Sequence, residues 1–90
     1  MAPKSQDADN IDIIDACGYR CPMPVIRMEA GLRRLAPGAS LIIKADDPLA
    51  AIDIPHFCSE SGHLSERLPD EGRPDTPICV FRVTRGGNPA

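Results

Sequence analysis

The chain has 90 residues, 42% of them hydrophobic and 26% charged, a balance that fits one soluble domain rather than a disordered segment. A formal charge of −3 and only three aromatic residues (Tyr19, Phe57 and Phe81, with no Trp) argue against a general nucleic-acid binder, which needs a basic surface and rings on which bases stack. No apolar run is long enough to span a membrane, and "MAPKSQDADN" lacks a signal peptide's apolar stretch, so a cytoplasmic protein is expected.

Residues 1–9 are polar and read as a tail. "IDIID" alternates and predicts a short strand, with Ile14 breaking the pattern as in a strand covered on both faces near its end. A loop over 16–21 leads to a helix from about Pro22, whose buried stripe is Val25, Met28, Leu32 and Leu35. Glu29 and Arg33 are spaced as a surface pair, and Pro37 and Gly38 stop the helix. "LIIKA" (41–45) is nearly all apolar and predicts a central strand. Asp47-Pro48 and Asp53-Ile54-Pro55 are both helix-start signals. Because Pro55 would damage one long helix, a short turn and then a helix over about 54–61 are expected, capped by Gly62. "HLSERL" and "TPICVFRVTR" read as strands joined by the turn segment "PDEGRPD", with Cys79, Phe81 and Val83 facing the helices. Residues 86–90 read as a second tail, leaving one domain over 10–85. The order β-α-β-α-β-β predicts an α/β (α+β) two-layer sandwich: a four-stranded mixed sheet with two helices on one face.

Charge is unevenly placed. Residues 16–45 carry Arg20, Arg27, Arg33, Arg34 and Lys44 against Glu29, a net of +4. Residues 46–75 carry Asp46, Asp47, Asp53, Glu60, Glu66, Asp70, Glu71 and Asp75 against Arg67 and Arg73, a net of −6. These are either ordinary solvated faces or a basic rim around Cys21 suited to an anionic sulfur group or an acidic partner. The four cysteines read as thiols, since their spacings match neither a disulfide framework nor a structural zinc site.

"CGYRCPMP" (17–24) is the segment that suggests chemistry. With Cys21 at the cap or last in the loop, Pro22 falls at N1 and Pro24 at N3, both inside a first turn that lacks intrahelical partners for its N–H groups. The two prolines stiffen the entry and aim the sulfur outward. The helix's positive end and Arg20 are expected to favour a thiolate. Cys58, in an apolar helix segment, and Cys79, on a packed strand face, read as core residues.

"GYRCPMP" together with "ADDPLAAIDIPHFC" resembles the TusA (SirA-like) family of small sulfur-carrier proteins, over about Ile13 to Val83. The Cys-Pro-x-Pro box gains specificity from Gly18 ahead of it and from the Asp-Asp-Pro and Asp-Ile-Pro-x-Phe segments behind it. The resemblance implies that Cys21 accepts a sulfane sulfur as a persulfide, with Gly18, Arg20, Pro22 and Pro24 supporting or positioning it. It implies a cysteine desulfurase or rhodanese as donor and a downstream acceptor protein serving tRNA thiolation, molybdenum-cofactor synthesis or sulfur oxidation. On this account the protein needs no cofactor or metal of its own, meets no nucleic acid or membrane directly, and works as a monomer.

Cys17 departs from the family's box, and three readings stay open. It is a spectator tucked under the loop, a resolving thiol for Cys21, or half of a metal-binding pair. His56 either lines the Cys21 face or is simply at the surface, and His63 reads as ordinary. Met23 lies between the prolines as an adaptable contact or a chance surface residue. Arg27, Arg33 and Arg34 are docking candidates. Two other functions compete with the carrier: a thiol redox enzyme or sensor using Cys17 and Cys21, and a regulatory interaction module that leaves its thiol unused.

Overall fold

The computed structural model describes residues 11–87; of the tails expected at 1–9 and 86–90, residues 1–9 and 88–90 lie outside the described residues. The elements are β1 (Asp12–Asp15), α1 (Met23–Leu32), β2 (Ser40–Ala45), α2 (Ala50–Ser61), β3 (Leu64–Arg73) and β4 (Thr76–Thr84). The sheet runs β1-β2-β4-β3, with β1 parallel to β2 and the other neighbours antiparallel. This is the mixed four-stranded sheet with two helices on one face that the sequence predicts.

Strand periodicity builds the floor of the core. Leu41, Ile43 and Ala45 of β2 stand opposite Val83, Phe81 and Cys79 of β4, and all six are buried. Facing residues share one side of the sheet, so these pairs form a continuous aliphatic strip with one aromatic ring in it. Each helix lays a stripe of period four on that strip: Pro24, Met28 and Leu32 from α1, and Ala50, Ile54 and Cys58 from α2. Gly62 ends α2 in the left-handed conformation (φ 80°), as its position predicts. The Glu29–Arg33 pair forms at 3.4 Å. Arg85 closes the other end of α1 from a distance, donating from its guanidinium to the carbonyls of Leu32 and Leu35.

Three local expectations are corrected. First, α2 is one helix from Ala50, with Pro55 inside it. Pro55 removes the bond to the Ala51 carbonyl, a cost of roughly 3 kcal/mol or more in a helix interior. The burial of Ala50, Ile54 and Cys58 on either side of it opposes that cost. Second, β1 is an edge strand. Ile14 packs on the core while Ile13 is 61% exposed on the open face, so the broken alternation does not mark cover on both sides. Third, "PDEGRPD" is mostly strand. β3 continues to Arg73 and the turn shrinks to Pro74-Asp75. Leu68 pairs with Val80 and Glu71 with Ile78, leaving Pro69 and Asp70 as a bulge opposite one residue of β4. A bulge on an edge strand is where proline's missing N–H is tolerated. Gly72 sits at φ 84°, where a Cβ would lie 2.6 Å from the Thr76 carbonyl oxygen.

The face away from the helices is only partly bare. Val80 is 3% exposed there, between Lys44 of β2 and Leu68 of β3. Lys44 Nζ reaches Glu71 Oε1 at 3.0 Å across β4, so the ion pair and the lysine stem strap over Val80.

Met28 is fully buried at the centre of the α1 stripe. Met28→Ala is expected to lower folding stability by about 2–5 kcal/mol, the range for emptying such a site. Urea unfolding followed by circular dichroism measures it.

Candidate functional site: the Cys21 loop

The loop between β1 and α1 begins as a continuation of the sheet, with Ala16 N–H donating to the Lys44 carbonyl at 2.8 Å. It then turns through Gly18 at φ 90°, a conformation that favours glycine. Three backbone N–H groups of this loop find carboxylates. Cys17 donates to Asp15 Oδ1 at 3.0 Å, Gly18 to Asp46 Oδ1 at 2.9 Å, and Cys21 to Asp47 Oδ2 at 2.6 Å. Asp47 also accepts the Leu49 N–H on Oδ1 at 3.1 Å, so one buried carboxylate joins the cysteine loop to the start of α2. The N–H groups of Cys21 and Leu49, in that order, hold Asp47 below the usual carboxylate range; burial opposes them, and the nearby Arg20 charge helps. Asp15 is lowered likewise, first by the Cys17 N–H.

Cys21 is exposed, and its Sγ donates to Asp53 Oδ2 at 2.7 Å. This hydrogen bond is the largest influence on the thiol and pushes its pKa up, followed by burial and then by the charges of Asp53 and Asp47. The expectation of a thiolate favoured by the helix mouth and by Arg20 is therefore corrected. Pro22 takes the cap position, one residue later than expected, and Pro24 follows inside the first turn. Both prolines lack the N–H that would solvate an anion there, and the Met23 N–H is already bonded to the Arg20 carbonyl at 2.8 Å. The charge closest to the sulfur is acidic, so the basic-rim reading fails at Cys21 itself. Arg27 lies over the Tyr19 ring, 4.4 Å from its centroid, with Nη2 donating to the Tyr19 hydroxyl at 3.1 Å. Arg33 pairs with Glu29.

The other thiols are set apart. Cys17 is half-buried and pushed up to about 11, chiefly by burial and then by a hydrogen bond to Asp15. Cys58 and Cys79 are core residues as expected, and burial raises both, Cys58 to about 11. All four cysteines are free, and the described residues include no group of three or more His, Cys, Asp or Glu that could hold a metal ion. His56 is exposed on α2, while His63 Nδ1 accepts the Gly86 N–H at 2.9 Å. Gly86, placed in the tail by the sequence, is thus tied to the domain.

Exposed apolar side chains stand on the elements that meet at the sulfur. Tyr19 (in the loop) and Met23 (opening α1) are over a third exposed, Leu49 and Ile52 (at the start of α2) more than half. Leu49, Ile52, Asp53 and His56 recur at helical spacing, so they share one side of α2. The sequence reading missed Asp15, Asp46 and the contact of Asp53 with the thiol. The available signal was the Asp47…Asp53 spacing, which puts one carboxylate before the first turn of α2 and the other inside it.

The family model described as sulfurtransferase TusA matches residues 12–82. The chain belongs to the TusA family. A crystal structure of a SirA-like protein from Desulfitobacterium hafniense superposes with a TM-score of 0.67 at 28% identity, covering 83% of this chain and 99% of that one. An rRNA methylase from Streptococcus thermophilus aligns with a TM-score of 0.46 at 16% identity, over 91% of this chain and 52% of that one, a likeness too slight to carry an argument. TusA membership gives this chain a general role in sulfur relay, alongside partner proteins. No helix among the described residues is long and apolar enough to cross a membrane.

Buried Cys58 and half-buried Cys17 set an alkaline limit on stability. An unfolded thiol ionises near pH ~8.5, whereas folded Cys58 and Cys17 hold their protons to about 11. Their contribution is complete below the unfolded value and is lost as pH rises towards about 11. Urea midpoints are expected to fall across that window, with a shallower fall in Cys58→Ala.

Proposed function

We propose that this TusA-family protein carries one sulfane sulfur as a persulfide on Cys21. The carrying observation is that Cys21 alone of the four thiols is exposed, on a loop held by carboxylates behind it and by prolines after it. The donor is a cysteine desulfurase or a rhodanese, and the reaction is Cys21–SH + R–S–SH → Cys21–S–SH + R–SH. The bond between the donor's two sulfurs breaks, a bond from Cys21 Sγ to the outer sulfur forms, and the thiol proton ends on the departing donor thiol. Transfer to a downstream acceptor protein repeats the exchange in the same sense. That acceptor serves tRNA thiolation, molybdenum-cofactor synthesis or sulfur oxidation, in the cytoplasm.

Gly18, Pro22 and Pro24 hold the loop's path, and Arg20 acts through Asp47. The carrier needs neither cofactor nor metal, because the sulfur arrives already at the sulfane level. It works as a monomer, with the exposed Tyr19, Met23, Leu49 and Ile52 offering contact area to a donor and then to an acceptor. A redox pair of Cys21 with Cys17 is disfavoured, since Cys17 is half-buried and ionises only near 11.

Intact-mass spectrometry after incubation with a cysteine desulfurase and cysteine, without reductant, tests this reading. Wild type and Cys17→Ser are expected to gain one reducible sulfur atom, and Cys21→Ser none. Loss of two hydrogens in a form requiring both Cys17 and Cys21 would replace the carrier with the redox pair.

A further inference from the structure

We propose that Asp53 is a positioning residue that latches the empty Cys21 thiol inward through the Sγ–H···Oδ2 hydrogen bond and turns the loaded persulfide outward by charge repulsion. This deepens the carrier reading and rests on it for the loaded state.

The carboxylates around the loop divide by what they touch. Asp15, Asp46 and Asp47 accept backbone N–H groups and thereby hold the loop's path. Asp53 instead accepts from the sulfur, at 2.7 Å. It is half-buried in the first turn of α2, and no side chain caps that helix. Removing its charge therefore leaves the three loop anchors and the helix start in place. The groups acting on the sulfur are Asp53 from α2 and Asp47 from the β2–α2 corner, both anionic. Arg20, from the cysteine's own loop, acts on Asp47. The α1 side offers no N–H at Pro22 or Pro24, and His56, one turn along α2 from Asp53, is exposed.

Such surroundings treat the two states of the carrier oppositely. An empty thiol is a neutral donor, and a carboxylate attracts it. A persulfide is more acidic than a thiol, so the loaded group is an anion near neutral pH, and two carboxylates beside it repel its terminal sulfur. The same side chain thus draws in the group that must wait and expels the group that must be delivered. The proton lost by Cys21 on loading leaves with the donor thiol. The hydrogen-bonded thiol is also shielded from adventitious alkylation and oxidation, because its thiolate fraction is kept low.

The decisive measurement is the pH dependence of Cys21 alkylation by iodoacetamide, in a Cys17→Ser background so that one accessible thiol is read. Asp53→Asn is expected to move the profile to lower pH, while Asp53→Glu stays near wild type. Below both midpoints the rate should rise about threefold per pH unit of displacement, since a tenfold gain in thiolate is partly offset by weaker intrinsic nucleophilicity. An unchanged profile in Asp53→Asn, or one moved to higher pH, overturns the latch. Amide spectra of Gly18 and Cys21 establish that the variant keeps its loop. If Asp53→Asn does not fold, the wild type still decides. The Asp53 carboxyl carbon resonance should step as Cys21 ionises at alkaline pH, and should lose that step in Cys21→Ala. A flat resonance in the wild type rejects the latch. None of these readings uses a sulfur donor, so a shifted profile together with absent persulfide formation would keep the latch and reject the carrier.

Discussion

A single buried carboxylate holds this domain's two working parts together. Asp47 takes the N–H of Cys21, 26 residues before it in the chain, on one oxygen and the N–H of Leu49 on the other. Only 6% of Asp47 remains exposed, and its N–H donors compensate the desolvation of its charge. The start of α2, the path of the cysteine loop and the placing of Asp53 against Sγ all follow from that junction. If Leu49 moved, the first turn of α2 would carry Asp53 with it, and the sulfur would lose its acceptor.

This dependence explains why the chemistry at Cys21 differs from that of an ordinary helix mouth. A helix N-terminus stabilises an anion through its free N–H groups, and replacing two early residues by proline removes those donors while keeping the rigidity. What remains near the sulfur is a pair of carboxylates, Asp47 from the β2–α2 corner and Asp53 from α2. The loop is thus well fixed, while its thiol is held in the neutral form. Stiffness of the backbone and reactivity of the side chain are set by different groups, so they can be altered separately.

The legible parts of the sequence were those governed by local periodicity. The apolar run 41–45, the alternation of Cys79, Phe81 and Val83, the Met28 and Leu32 part of the α1 stripe and the cap at Gly62 each depend on near neighbours, and each appears in the fold. Pro24 takes the buried place expected of Val25, and Leu35 lies beyond the helix, which ends at Leu32 rather than at Pro37. Errors arose where a distant partner overrides a local preference. Pro55 reads as a helix start, yet it is carried inside a helix that Ala50, Ile54 and Cys58 anchor to the core. Pro69 reads as a turn, yet an edge strand absorbs it as a bulge. Cys21 and its proline box were visible, but the acceptor of its thiol lies 32 residues on, and no local pattern reports that contact. Nor does any local pattern show that Arg27 is engaged by Tyr19.

The proposed persulfide carrier would place two demands on a small domain: an accessible sulfur and a surface that different partners can use. Four exposed apolar residues from three segments meet the second without a deep pocket, and the acidic cluster meets the first by holding the loop from behind. The most direct test of the account is a proton NMR titration of the Cys21 and Leu49 amides through the acidic range. If Asp47 bridges them, both resonances shift together at one midpoint below the usual carboxylate value, and Asp47→Asn abolishes both steps. Independent midpoints, or a shared one at the ordinary aspartate value, would contradict the junction on which the site depends.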